Sequence, residues 1–143
     1  MKKSAIIVSG YFNPLHKGHI ELFKKAKSIC EYIFVIVNND YQRNLKGSRE
    51  FMLEEERVLI IEELAITDKV ILSIDMDKTV VKTITKIFNE YSSHYDFTFA
   101  NGGDQTINSI PETKKCNELG IKLIDGLGDQ IQSSSWILNK NEG

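Results

Sequence analysis

Cysteine is scarce, long apolar runs are missing and neither sign of charge dominates; each shortage removes a class of protein. The two cysteines, Cys30 and Cys116, stand far apart without metal-ligand spacing, which excludes a disulfide-stapled scaffold and a cysteine-built metal site. Both fall on helical stretches, where reduced thiols packed into a core are the expected state. No stretch approaches the roughly 20 apolar residues of a membrane span, and the apolar run after Lys2 and Lys3 is too short for a secretory signal. The expected location is the cytoplasm, with no membrane partner. A formal charge of −2 supplies no positive field to hold DNA or RNA, so no nucleic-acid partner is expected. What remains is an average globular composition, 41% hydrophobic and 27% charged over 143 residues, enough for one buried core and too little for two. Residues 1–143 are therefore expected to form a single domain.

Apolar runs of strand length alternate with stretches of helical period. Strands are expected at Ala5–Ser9, Tyr32–Val37, Val70–Ile74, Phe97–Ala100 and Ile121–Ile124, and helices at Gly18–Ser28, Leu53–Ala65, Thr79–Tyr91 and Glu112–Leu119, with a last helix from Ser134. Continuously apolar strands joined by amphipathic helices imply a parallel sheet covered on both faces. The expected fold is α/β: a Rossmann-like three-layer α/β/α arrangement around a five-stranded parallel sheet. Pro111 suits a first helical turn, Gly120 a helix stop, and Asp77 and Ser133 are candidate N-caps. In such sheets ligands bind beyond the carboxyl ends of the strands. The unusual segments follow strand ends: Gly10 to His19, Asn38 to Arg49, Asn101 to Gln105 and Gly126 to Ser135.

Gly10-Tyr11-Phe12-Asn13-Pro14-Leu15-His16-Lys17-Gly18-His19 is the most informative of these. Histidines three apart at a helix start project from one face. Gly18 between them lets a ligand approach the backbone, and the helix N-terminus favours an anion through its free N–H groups and its dipole. The arrangement reads as a phosphate site with two imidazole donors, suited to stabilising charge on an attacked phosphate. A bare pair of cap histidines is the plainer alternative.

This segment resembles the H-x-G-H signature of the cytidylyltransferase-like nucleotidyltransferases, and the resemblance extends over nearly the whole chain. It implies that His16 and His19 contact the nucleotide phosphates and stabilise the transition state at the α-phosphate, with Gly10, Tyr11, Phe12, Asn13 and Gly18 lining the nucleotide. Phe12-Asn13 stands where the family commonly has Phe-Asp, and Asn13-Pro14 resembles the nicotinamide-mononucleotide adenylyltransferases. Asn38-Asn39-Asp40, Lys46-Gly47-Ser48-Arg49 and Glu55-Glu56-Arg57 are similar to the subgroup of glycerol-3-phosphate cytidylyltransferase and heptose-1-phosphate adenylyltransferase. There a loop lysine reaches the triphosphate, a role that falls here to Lys46. Arg49 and Arg57 are candidates for the substrate, although Arg57 could instead pair with glutamates on its own helix.

Asn101-Gly102-Gly103-Asp104 resembles the Gly-Gly-Asp turn of the heptose-phosphate branch, and Gln132-Ser133-Ser134-Ser135 the family's hydroxyl-rich motif, whose donors would meet the β- and γ-phosphates. A tight turn and an N-cap explain the same residues structurally. Trp136 is expected to pack the last helix, His94 to be exposed, and Asp75 and Asp77 to be solvated. The implied reaction is attack by a phosphorylated small molecule, such as a sugar or alcohol phosphate, on the α-phosphorus of a nucleoside triphosphate. ATP is favoured slightly over CTP, and pyrophosphate leaves. Mg2+ would arrive with the triphosphate, with no metal site from protein alone. A homodimer is expected by analogy with related enzymes. Two alternatives stay open: a non-catalytic nucleotide-binding module, and an adenylyltransferase for a vitamin-derived phosphate (nicotinamide mononucleotide, pantetheine phosphate or FMN).

Overall fold

The computed structural model describes residues 2–47, 49–100 and 110–124. Their elements run β1 (Lys3–Gly10), α1 (Lys17–Ile29), β2 (Tyr32–Val37), α2 (Asp40–Lys46), α3 (Glu54–Glu62), β3 (Lys69–Leu72), α4 (Val81–Tyr91), β4 (Tyr95–Ala100), α5 (Ile110–Leu119) and β5 (Lys122–Ile124). The strands form one parallel sheet in the order β3-β2-β1-β4-β5. This is the Rossmann-like α/β fold expected from the alternation of runs.

Strand alternation decides which helix meets which side chain. Ile6 and Val8 of β1 and Ile33, Val35 and Val37 of β2 face Phe23 and Ala26 of α1 and Ile61 of α3. Ala5, Ile7, Phe34, Ile36, Phe97 and Phe99 turn the other way, onto Ile84 and Ile87 of α4 and Cys116 of α5. Register sets Ile6 between Ile33 and Thr98, so β1 is walled in on every side. That is why its middle reads as an unbroken apolar run. The chain leaves β1 toward β2 and β3, while β4 and β5 lie on β1's opposite flank. The crevice at this reversal opens at the carboxyl ends of the strands, where Gly10 leads into the histidine segment.

Three local expectations are corrected. First, α2 forms where a loop was expected: Asn39 Oδ1 accepts the Gln42 N–H (2.8 Å), Gln42 Oε1 accepts the Asn39 N–H (2.9 Å), and Gly47 closes the helix at φ +81. The signal was an Asn-x-x-Gln capping box with a glycine stop. Second, Asp77 caps a turn, accepting from Thr79 N–H (2.9 Å) and its hydroxyl, and α4 begins only at Val81. Third, Asp75 is not solvated but 1% exposed, its carboxylate accepting the N–H groups of Lys82 (2.8 Å) and Thr83 (3.0 Å). Orphan donors and a positive dipole end draw a carboxylate to a helix start, and here it comes from the preceding strand's loop.

Other expectations hold. Pro111 lies in the first turn of α5, Gly120 stops that helix at φ +78, and His94 is exposed. Cys30 and Cys116 are free and buried, and burial, helped by nearby Glu112, pushes the Cys116 thiol up to about 12. Ser133, Trp136 and the last expected helix lie outside the described residues. Among the described residues no helix is long and apolar enough to cross a membrane.

Candidate active site

The segment between β1 and α1 is built around Phe12, which adopts φ 52, a left-handed conformation that costs a bulky residue roughly 1–3 kcal/mol. Packing holds it there. Its ring is 2% exposed and lies edge-on to His19 (4.8 Å between centroids) and tilted on Phe23 (5.7 Å). Gly10 makes room for it: a Cβ at position 10 would sit 2.9 Å from Phe12 Cζ. The expected glycine and aromatic are therefore structural supports of the turn, fixing where the histidines start.

His16 is the N-cap of α1 and His19 its third residue, forming a capping box in imidazole. The Gly18 N–H donates to His16 Nδ1 (3.0 Å) and the His16 N–H donates to His19 Nδ1 (3.1 Å). The rings stack, 3.8 Å between centroids and 30° apart. Because each Nδ1 accepts an amide proton, each neutral ring carries its own proton on Nε2. Desolvation lowers the pKa of His16, and desolvation reinforced by His16 lowers that of His19 to about 3. The pair is a neutral donor set at the N-terminus of α1, with one ring directly against the aromatic floor.

Around this turn, Asn13 and Arg57 tie three segments together. Asn13 Nδ2 donates to the Arg49 carbonyl (2.6 Å), and Asn13 Oδ1 accepts the N–H groups of Phe51 (2.9 Å) and Met52 (3.0 Å). Asn13, expected at the nucleotide, is thus a brace for residues 49–52. Only an amide fits, since an aspartate has no proton for the Arg49 carbonyl.

Arg57 is corrected more sharply. Its guanidinium is fully buried and donates to the carbonyls of Met52 (3.1 Å), Tyr11 (2.7 Å) and Asn38 (2.7 Å) and to Asp40 Oδ1 (2.7 Å). It neither reaches a substrate nor pairs with a helix glutamate. It clamps the ends of β1 and β2 to the start of α3, a role that needs the planar fork of arginine.

Lys46 ends α2 instead of riding on a loop, yet it comes to the histidine segment: its Nζ lies 4.4 Å from the centroid of the Tyr11 ring. Arg49 is exposed on the braced segment. Sequence reasoning missed Arg43, buried beside Asp40 and Glu50 (3.2 Å to Glu50 Oε1), and Gln42, whose amide donates to the carbonyls of Asp77 and Thr79 (2.8 Å each). Gln42 carried a sequence signal only as half of a capping box, since Asp77 and Thr79 lie far along the chain, whereas Asp40 and Glu50 lie three and seven residues from Arg43 and those acidic neighbours were the signal available. Asn101, Gly102, Gly103, Asp104, Gln132, Ser133, Ser134 and Ser135 lie outside the described residues. A groove of 740 Å³ along the β3 edge shares no residue with the histidine turn.

A parallel sheet with a switch point, and two neutral imidazoles at a helix N-terminus beside it, define an α/β protein that handles nucleotide phosphates. Residues 7–137 match the family described as cytidylyltransferase-like. The chain belongs to that family, and it is a nucleotidyltransferase. It is similar to the FAD synthase of Picrophilus torridus, 28% identical over 136 residues that span 92% of this chain and 91% of that one. It is also similar to the glycerol-3-phosphate cytidylyltransferase of Bacillus subtilis, 37% identical over 71 residues, 50% of this chain and 54% of that one. The crystal structure of a lipopolysaccharide core biosynthesis protein from Thermoplasma volcanium superposes with a TM-score of 0.69 at 28% identity, covering 86% of this chain and 95% of that one.

Proposed function

We propose that this nucleotidyltransferase moves AMP from ATP to FMN, producing FAD and pyrophosphate. The observation that carries the transfer chemistry is the stacked pair His16 and His19, whose Nδ1 atoms are engaged by Gly18 and His16 amides. The choice of acceptor is supported by extent of likeness. The FAD synthase relative aligns along nearly its whole length, the cytidylyltransferase along about half. The sugar or alcohol phosphate expected from motif resemblance becomes the second reading, supported by the higher identity of that shorter match.

In this reading an oxygen of the FMN phosphate forms a bond to the α-phosphorus while the bond to the β-phosphate bridging oxygen breaks. Pyrophosphate leaves with the electron pair. The attacker is already an anion, so the histidines act as hydrogen-bond donors from Nε2 to the α-phosphate and not as bases. A pKa lowered to about 3 suits His19 to staying neutral. The role of neutralising the leaving pyrophosphate falls in this reading to Lys46, supported by its ammonium lying over the Tyr11 ring of the histidine segment. Among the described residues no three His, Cys, Asp or Glu side chains converge on a point; magnesium in this scheme is held by the phosphates of ATP, where it screens their charge.

The test crosses ATP and CTP with FMN, glycerol 3-phosphate and sugar 1-phosphates, measuring pyrophosphate release and identifying the product chromatographically. FAD from ATP and FMN alone is expected. Turnover with an alcohol or sugar phosphate and none with FMN refutes the acceptor and keeps the chemistry, whereas no pyrophosphate from any pair refutes both.

A further inference from the structure

We infer that Phe51 is the acceptor-binding aromatic of this site, the face on which the isoalloxazine ring of FMN stacks while its phosphate reaches the imidazoles. This rests on the FMN reading above. Phe51 is 65% exposed, the most exposed large hydrophobic side chain among the described residues, with Leu53 beside it at 54%. Poor anchoring does not explain that exposure. The Phe51 and Met52 N–H groups both donate to Asn13 Oδ1 (2.9 and 3.0 Å), the Arg49 carbonyl accepts from Asn13 Nδ2 (2.6 Å), and the Met52 carbonyl accepts from buried Arg57 (3.1 Å).

The backbone on both sides of Phe51 is thus pinned, and its chief anchor lies three residues before His16. Asn13 ties the backbone that carries the exposed ring to the segment that leads into the histidine turn, so the ring is held in water beside that segment's anchor instead of collapsing into the core. An aromatic face held in water is matched by a planar, amphipathic ring system. FMN has such a ring, and its ribityl chain separates ring from phosphate, allowing one end to lie on Phe51 while the other meets the histidines. A glycerol phosphate offers nothing planar to cover it.

Stacking on an aromatic face shifts the visible absorption bands of a flavin, so the full chain is titrated with FMN by absorption difference spectroscopy and assayed for FAD formation as wild type, Phe51→Ala and Phe51→Trp. Phe51→Ala is expected to raise the KM and Kd for FMN at least about tenfold, equal to about 1.4 kcal/mol. It should abolish most of the band shift, leave the KM for ATP within about twofold and leave the melting temperature unchanged. Phe51→Trp restores both KM and band shift. If wild type makes FAD and Phe51→Ala keeps its FMN KM and band shift, the stacking role is overturned and the FMN reading stands. A rise in the KM for ATP instead assigns the ring to the nucleobase and also overturns it. If wild type makes no FAD but releases pyrophosphate with another acceptor, the FMN reading fails and this inference with it.

Discussion

Replacing Arg57 by methionine removes a buried guanidinium while keeping the volume of its stem, and it strands four acceptors: Asp40 Oδ1 and the carbonyls of Tyr11, Asn38 and Met52. Breaking a buried ion pair from one side costs about 3–5 kcal/mol, chiefly because the partner charge is left behind. Asp40 is 25% exposed where Arg57 is 0%, so water can reach the abandoned carboxylate and the lower end, about 3 kcal/mol, is expected. For a domain of this size that lowers the melting temperature by roughly 10 °C. Urea unfolding followed by circular dichroism should show a lower midpoint with an unchanged slope. Arg57→Lys should recover less than half, since an ammonium on a flexible stem cannot fork to four acceptors. The double variant Asp40→Asn with Arg57→Met should be more stable than the sum of the single losses implies, by about 1–3 kcal/mol. A loss below about 1 kcal/mol for Arg57→Met would refute the clamp, because one unsatisfied buried acceptor alone costs that much.

Three further outcomes follow from the histidine turn. His16→Asn keeps a side-chain cap on α1, so stability should change by only a few tenths of a kcal/mol to about 1 kcal/mol, while kcat falls at least about a hundredfold; a rate near wild type removes His16 from the chemistry. Nitrogen-15 spectra should show His19 neutral, with its proton on Nε2, down to about pH 4. The unfolded imidazole titrates near 6.5 and the folded one near 3, so between these values the unfolded chain binds the extra proton. This group's contribution is complete above pH 6.5 and fades as pH falls toward 3. ATP should raise the titration point by adding negative charge, and a His19 that protonates near 6.5 in the free protein contradicts its burial. Gly10→Ala should displace the Phe12 ring, costing about 1–3 kcal/mol and lowering kcat; an unchanged melt would mean that Phe12 yields without strain.

Much of the fold was legible because burial on both sheet faces leaves a direct mark in sequence. β2 was expected at Tyr32–Val37 and forms there, since a central parallel strand must be apolar at every position and turn signals bound it. The histidine turn was legible for another reason: its geometry is local, set by Phe12, Gly10 and a capping box within a few residues. α2 escaped because a helix of 7 residues shows too little periodicity, although its capping box was written in the chain.

Sequence alone determined what depends on near neighbours: the strand and helix alternation, the helix stop at Gly120, and two imidazoles at one helix N-terminus. Tertiary structure decided what depends on residues that meet only after folding. Arg57 looked available to a substrate, and its distance in sequence from Tyr11, Asn38 and Asp40 hid that those groups engage both terminal nitrogens of its guanidinium. Asn13 looked like a ligand and is a brace, while Phe51 drew no notice and stands exposed on the segment that brace holds. A donor or acceptor declares its chemistry in the sequence, but whether that capacity is spent on the protein or left for a ligand is settled only by which distant backbone folds against it.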